Sequence, residues 1–79
     1  MKVGRDYSWW VDYSFEYDIL CDGEWFVDKD FDSGRFYCLK KDIKKTVTEH
    51  IKTVELKGEN YRNLKVSIID KYMTTPGEI

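Results

Sequence analysis

One proline, one histidine and two cysteines are spread over 79 residues. So little proline excludes a Pro-rich spacer, and 35% charged with 42% hydrophobic residues excludes disorder through low hydrophobicity. Cys21 and Cys38 could pair in principle, but without an export signal two reduced thiols are the better reading. No apolar run approaches the roughly 20 residues of a membrane span. The opening "MKVGRDYSWW" holds no apolar core of the type found in secretory signals, so the expectation is a cytoplasmic protein with Cys21 and Cys38 reduced and half-buried. Motifs of known chemistry are missing as well. There is no GxGxxG, P-loop, CxxC or HExxH. His50 falls on the apolar stripe of a helix, where a packed histidine outweighs a catalytic one, and a chain this short seldom builds a deep cleft for paired carboxylates. The reading is a protein that is not an enzyme and needs no cofactor or metal.

Aromatic residues are abundant: three Trp, six Tyr and four Phe. They give a short chain large buried area per residue, which a single small domain spanning residues 1–79 needs. Trp9, Val11, Tyr13, Phe15, Tyr17 and Ile19 alternate with Trp10, Asp12, Ser14, Glu16 and Asp18. That period of two is a strand with one buried face. "CDGE" then signals a hairpin, with two registers open. A two-residue Asp22-Gly23 turn sets Tyr17 opposite Asp28. A three-residue loop, Cys21-Asp22-Gly23, sets Tyr17 opposite Val27 and Tyr13 opposite Phe31. The second matches apolar with apolar and is the register expected, with a second strand over about residues 24–31.

From Leu39 the period changes. Leu39, Ile43, Val47, Ile51 and Val54 recur at three and four, predicting a helix over about residues 39–56 with Gly58 as its stop. Leu64, Val66 and Ile68 alternate in a third strand over residues 64–73. Residues 1–7 and 74–79 read as loosely ordered ends. The order β-β-α-β predicts an α+β fold, a three-stranded antiparallel-type sheet in the order 2-1-3 with one helix packed on one face.

The stretch "DKDFDSG", residues 28–34, sets three acids at alternating positions. As a calcium loop it fails at its sixth position, which is Ser33, and at its twelfth, which is Leu39. It is better read as a solvated edge strand or an acidic docking edge. Eight acids stand against one base between Asp12 and Asp32, whereas ten bases stand against six acids from Ser33 onward. In the expected register Asp12, Glu16, Asp18, Asp28 and Asp30 share a face with Trp10 and Phe26, and Glu16 lies opposite Asp28. These seven are the candidate protein-binding residues, suited to a protein with a basic or nucleic-acid-binding groove. The alternative is a phosphate-binding helix face of Lys41, Lys44, Lys45 and Lys52, interrupted by Glu49 and unaccompanied by any nucleic-acid motif. A third reading is a self-associating subunit, a homodimer through a free sheet edge.

In size, in its wealth of Tyr, Trp, Asp and Lys, and in its β-β-α-β order, the chain resembles the short accessory proteins of tailed phages. The resemblance implies an inhibitor or adaptor that docks on a host protein. It carries over no site residue.

Overall fold

The computed structural model describes residues 8–74, and the expectations placed on residues 1–7 and 75–79 lie outside it. Three strands of equal length, β1 (Ser8–Cys21), β2 (Glu24–Tyr37) and β3 (Tyr61–Thr74), form one antiparallel sheet in the order β2-β1-β3. Between β2 and β3 run a 3₁₀ turn (Lys40–Asp42), a helix α1 (Ile43–His50) and a π-helical segment (Ile51–Glu55). The fold is therefore α+β, as predicted. Thr74, expected in the frayed tail, ends β3 and shares a 2.9 Å hydroxyl hydrogen bond with Ser8.

The alternation in β1 does what its chemistry demands. Trp9, Val11, Tyr13, Phe15 and Tyr17 are buried against Ile43, Val47, Ile51, Leu56, Phe36 and Val66. Tyr13, Phe15 and Tyr17 line up in offset stacks at 6.2 and 5.7 Å, with Phe36 edge-on to Tyr13 at 6.0 Å. The Trp9 indole N–H donates to the Cys38 carbonyl at 3.1 Å and anchors the chain as it leaves β2. Of the two thiols, Cys38 is partly buried and Cys21 is exposed, so only the first matches the expected half-burial.

The helical connection departs from a straight α-helix at Ile51. There the Leu56 N–H reaches the Ile51 carbonyl at 2.8 Å, one residue further than an α-helix allows. The apolar stripe consequently runs Ile43, Val47, Ile51, Leu56. Val54, expected in the core, is 61% exposed.

The hairpin register is the second correction. The connection is the two-residue turn Asp22-Gly23, both at positive φ (53° and 80°), and Cys21 faces Glu24. Two positive φ values make a type I′ turn, whose twist suits the flanking strands. Turn chemistry thus overrides the apolar matching that favoured a three-residue loop. That matching carries weight only where both strands are covered, and the near half of β2 is not. The pairing also extends β2 to Tyr37, well past the expected end near Phe31.

The molecule is elongated, 50 by 22 by 21 Å. Strands of 14 residues span about 46 Å. The 16 residues from Lys40 to Glu55 rise only about 24 Å if wound as an α-helix. The helix covers the half of the sheet near Trp9, and the hairpin projects past it.

Candidate protein-docking hairpin

The two-residue turn divides the candidate residues between two faces. Trp10, Asp12, Glu16 and Asp18 point away from the helix. Phe26, Asp28 and Asp30 point to the helix side, where they pair with Ile19, Tyr17 and Phe15. The expected single cluster does not form. Trp10 pairs with Arg35 and Phe26 with Ile19, nine residues apart along β1 and so about 30 Å.

On the outer face two of the three acids have bases as cross-strand neighbours, and one of these, Asp18, forms an ion pair. Glu16 lies between Lys29 of β2 and Lys65 of β3, not opposite Asp28, so the expected like-charge pair is an opposite-charge rung. Asp18 accepts from Arg62 at 3.3 Å and from the Asn63 side chain at 2.8 Å. Arg62 in turn lies 4.0 Å over the Trp25 ring. Asn63 reaches Asp18 because a bulge puts it at φ 58°. Asp12 alone faces another acid, Asp70.

On the helix side the acids of "DKDFDSG" have no such partners. Asp28, Asp30 and Asp32 stand beside the buried aromatic row, and among the described residues none has a basic group within 4 Å. Their donors are neutral. The Tyr17 hydroxyl donates to Asp30 at 2.9 Å and lies 3.4 Å from Asp28. Burial, then these carboxylates, push the Tyr17 hydroxyl well above the ordinary tyrosine range. No group of three or more His, Cys, Asp or Glu that could hold a metal ion occurs among the described residues.

Deeper in, the Tyr13 hydroxyl donates to Glu55 at 2.5 Å, and His50 lies 3.9 Å from the same carboxylate and edge-on to Phe36 at 5.3 Å. Burial raises the Glu55 carboxyl, opposed by the Tyr13 hydrogen bond and reinforced by Asp32. Asp32 is held below its ordinary value, first by the Ser33 backbone N–H. His50 is thus partly buried, as its spacing predicted, and packs edge-on against Phe36.

Every residue from Glu24 to Phe31 is exposed, on both faces of the strand. Glu24, Phe26, Asp28 and Asp30 occupy the helix side. Trp25, Val27, Lys29 and Phe31 occupy the outer side, with Val27 and Phe31 each 68% exposed. Trp25, Val27 and Phe31 escaped the sequence reading, because the register set aside there is the one that turns them outward. Lys41, Lys44, Lys45 and Lys52 lie on the exposed side of the helical segments, with Asp42 and Glu49 among them, and the shallow groove beside Lys45 is lined by Cys38, Leu39, Asp42, Thr46 and Glu49. Among the described residues no helix is long and apolar enough to cross a membrane. No family model, curated protein or solved structure matches this chain.

Proposed function

We propose that this is a non-catalytic, macromolecule-binding protein that docks the near half of its hairpin, Glu24–Phe31, onto a partner protein bearing a basic groove. One observation carries the reading. A strand arm is exposed on both faces, with unneutralised carboxylates and Phe26 on one side and Trp25, Val27 and Phe31 on the other. Aromatic anchors beside acids suit a cationic cleft, the aromatics giving affinity and the acids steering the encounter. Asp28, Asp30 and Phe26 belong to this arm. Glu16 and Asp18 support it from the outer face, while Trp10 and Asp12 lie toward the far end. The likeness in size and composition to phage accessory proteins accords with a phage-encoded inhibitor or adaptor acting in a host cytoplasm.

The rival is nucleic-acid binding through Lys41, Lys44, Lys45 and Lys52, and a single capture experiment separates the two. Immobilised wild-type protein is compared with Asp28→Lys/Asp30→Lys and with Lys41→Glu/Lys45→Glu, each checked for an unchanged melting temperature. A nuclease-resistant protein partner, lost at least tenfold with the hairpin variant and kept with the helix variant, is the expected result. A nuclease-sensitive capture lost with the helix variant instead establishes the rival.

A further inference from the structure

β2 and β3 are both edge strands of 14 residues, and long uncovered edges invite pairing with another chain. In a two-residue hairpin the closing pair, here Cys21 and Glu24, exchanges both backbone hydrogen bonds, and bonded pairs then alternate. Even-numbered residues of β2 therefore turn their backbone groups toward β1, and odd-numbered residues turn theirs to the free edge. The other side of the sheet agrees with this parity, since the Leu20 N–H points away from β2 and bonds the Asn60 carbonyl at 2.9 Å. Lys29 and Ser33 are thus donors on the open edge. Each is already occupied: the Lys29 N–H donates to Asp28 Oδ1 and the Ser33 N–H to Asp32 Oδ1, both at 2.8 Å. The opposite edge repeats the arrangement, the Lys71 N–H donating to Asp70 Oδ1 at 2.8 Å, next to the residue whose backbone pairs with Asp12.

We propose that Asp28, Asp32 and Asp70 are edge caps that hold this chain apart from a second copy of itself. An incoming strand finds its rungs at Lys29, Ser33 and Lys71 filled, and a carboxylate stands where its own carbonyl must arrive. The excluded occupant is a second copy because the charges decide it. Two β2 strands related by a two-fold axis pair residues of equal parity. Any such register centred between Phe26 and Asp32 sets two carboxylates of the helix-side row opposite each other, as Glu24 with Asp28, Asp28 with Asp30 or Asp30 with Asp32. Head-to-tail pairing of β2 with β3 of another copy sets the acidic row mostly beside Leu64, Val66 and Ile68, with Lys71 opposite Val11 the one base on that side of β3. Bond and charge act together on β2, and on β3 the single cap at Asp70 fills the rung at Lys71.

Two variants separate bond from charge in sedimentation velocity over a wide concentration range. Asp28→Ala/Asp32→Ala/Asp70→Ala loses both, while Asp28→Asn/Asp32→Asn/Asp70→Asn loses charge but keeps an acceptor at each cap. Wild type is expected to sediment as a monomer, the alanine variant at no less than twice that mass at the upper concentrations, and the asparagine variant mostly as monomer. A wild type that already dimerises, a folded alanine variant that stays monomeric, or equal assembly of both variants overturns the proposal. Amide exchange in the wild-type protein tests the caps even where the alanine variant fails to fold. Lys29, Ser33 and Lys71 should exchange several-fold more slowly than the uncapped edge amides of Val27 and Phe31, and equal rates overturn the assignment.

Discussion

Glu55 shows how one carboxyl is shaped by its neighbours. It is half-buried, takes the Tyr13 hydroxyl proton donor, and feels Asp32 and His50. Its folded value lies above the ordinary 4.5, so the folded state binds this proton more tightly than the unfolded chain does. Its contribution is therefore fully present below pH 4.5 and is lost as pH rises through the folded value. Asp32, held low, behaves oppositely: its contribution is present above its ordinary 3.8 and lost as pH falls through the lowered value. Glu55→Gln keeps an acceptor for Tyr13 and removes the titration. Denaturant midpoints measured from pH 4 to 8 should decline through this range in wild type and flatten in the variant, with the variant at least as stable at pH 7. A variant that loses stability across the whole range instead assigns Glu55 a charge-dependent structural role. None of this cluster was legible in the sequence, because Tyr13, Asp32 and Glu55 come from three elements and meet only once the register is fixed.

Among the elements, β1 was the most legible. Its strict alternation leaves one way to bury Tyr13, Phe15 and Tyr17, and the sheet order follows from placing it centrally. The third strand and the helix were legible from their periods. Two features were not. The hairpin register turned on whether Asp22-Gly23 or apolar matching would prevail, and the positive φ values of both turn residues decided it. The π-helical segment at Ile51–Glu55 has no signature in side-chain type, yet it exchanges Val54 for Leu56 in the core. That exchange is measurable. Leu56→Ala should cost about 2–5 kcal/mol in urea unfolding, the usual range for a buried leucine. Val54→Ala should stay within about 0.5 kcal/mol, as for an exposed side chain. A straight α-helix would reverse the two.

At the scale of the whole molecule, the helical segments are too short for the sheet they serve. Near Trp9 the sheet has a covered face and a wet one, as antiparallel sheets commonly do. Past Tyr17 the β2 arm has two wet faces, and its large apolar residues gain nothing from the core. Beyond the cation–π contacts of Trp25 with Arg62 and of Phe31 with Lys29, folding gives little reason for Trp25, Val27 and Phe31 to stand in water, whereas an interface would. The charge asymmetry of the sequence is distributed in space: outer-face Glu16 and Asp18 have Lys29, Lys65 and Arg62 as neighbours, whereas Asp28 and Asp30 on the helix side of that arm have no base across the strand. If the arm serves a partner and not the fold, Trp25→Ser/Phe31→Ser should leave the thermal unfolding midpoint within a few degrees of wild type. The same pair should abolish most of the fluorescence gained by an apolar dye such as ANS on the folded protein at neutral pH. Cation–π contact with Arg62 gives Trp25 some structural role, on the order of 0.5–1 kcal/mol at an exposed site, too little to move the midpoint further. A collapse of the melting transition in this variant would show that the arm's aromatics hold the sheet together, and would remove the reason for assigning them to a partner.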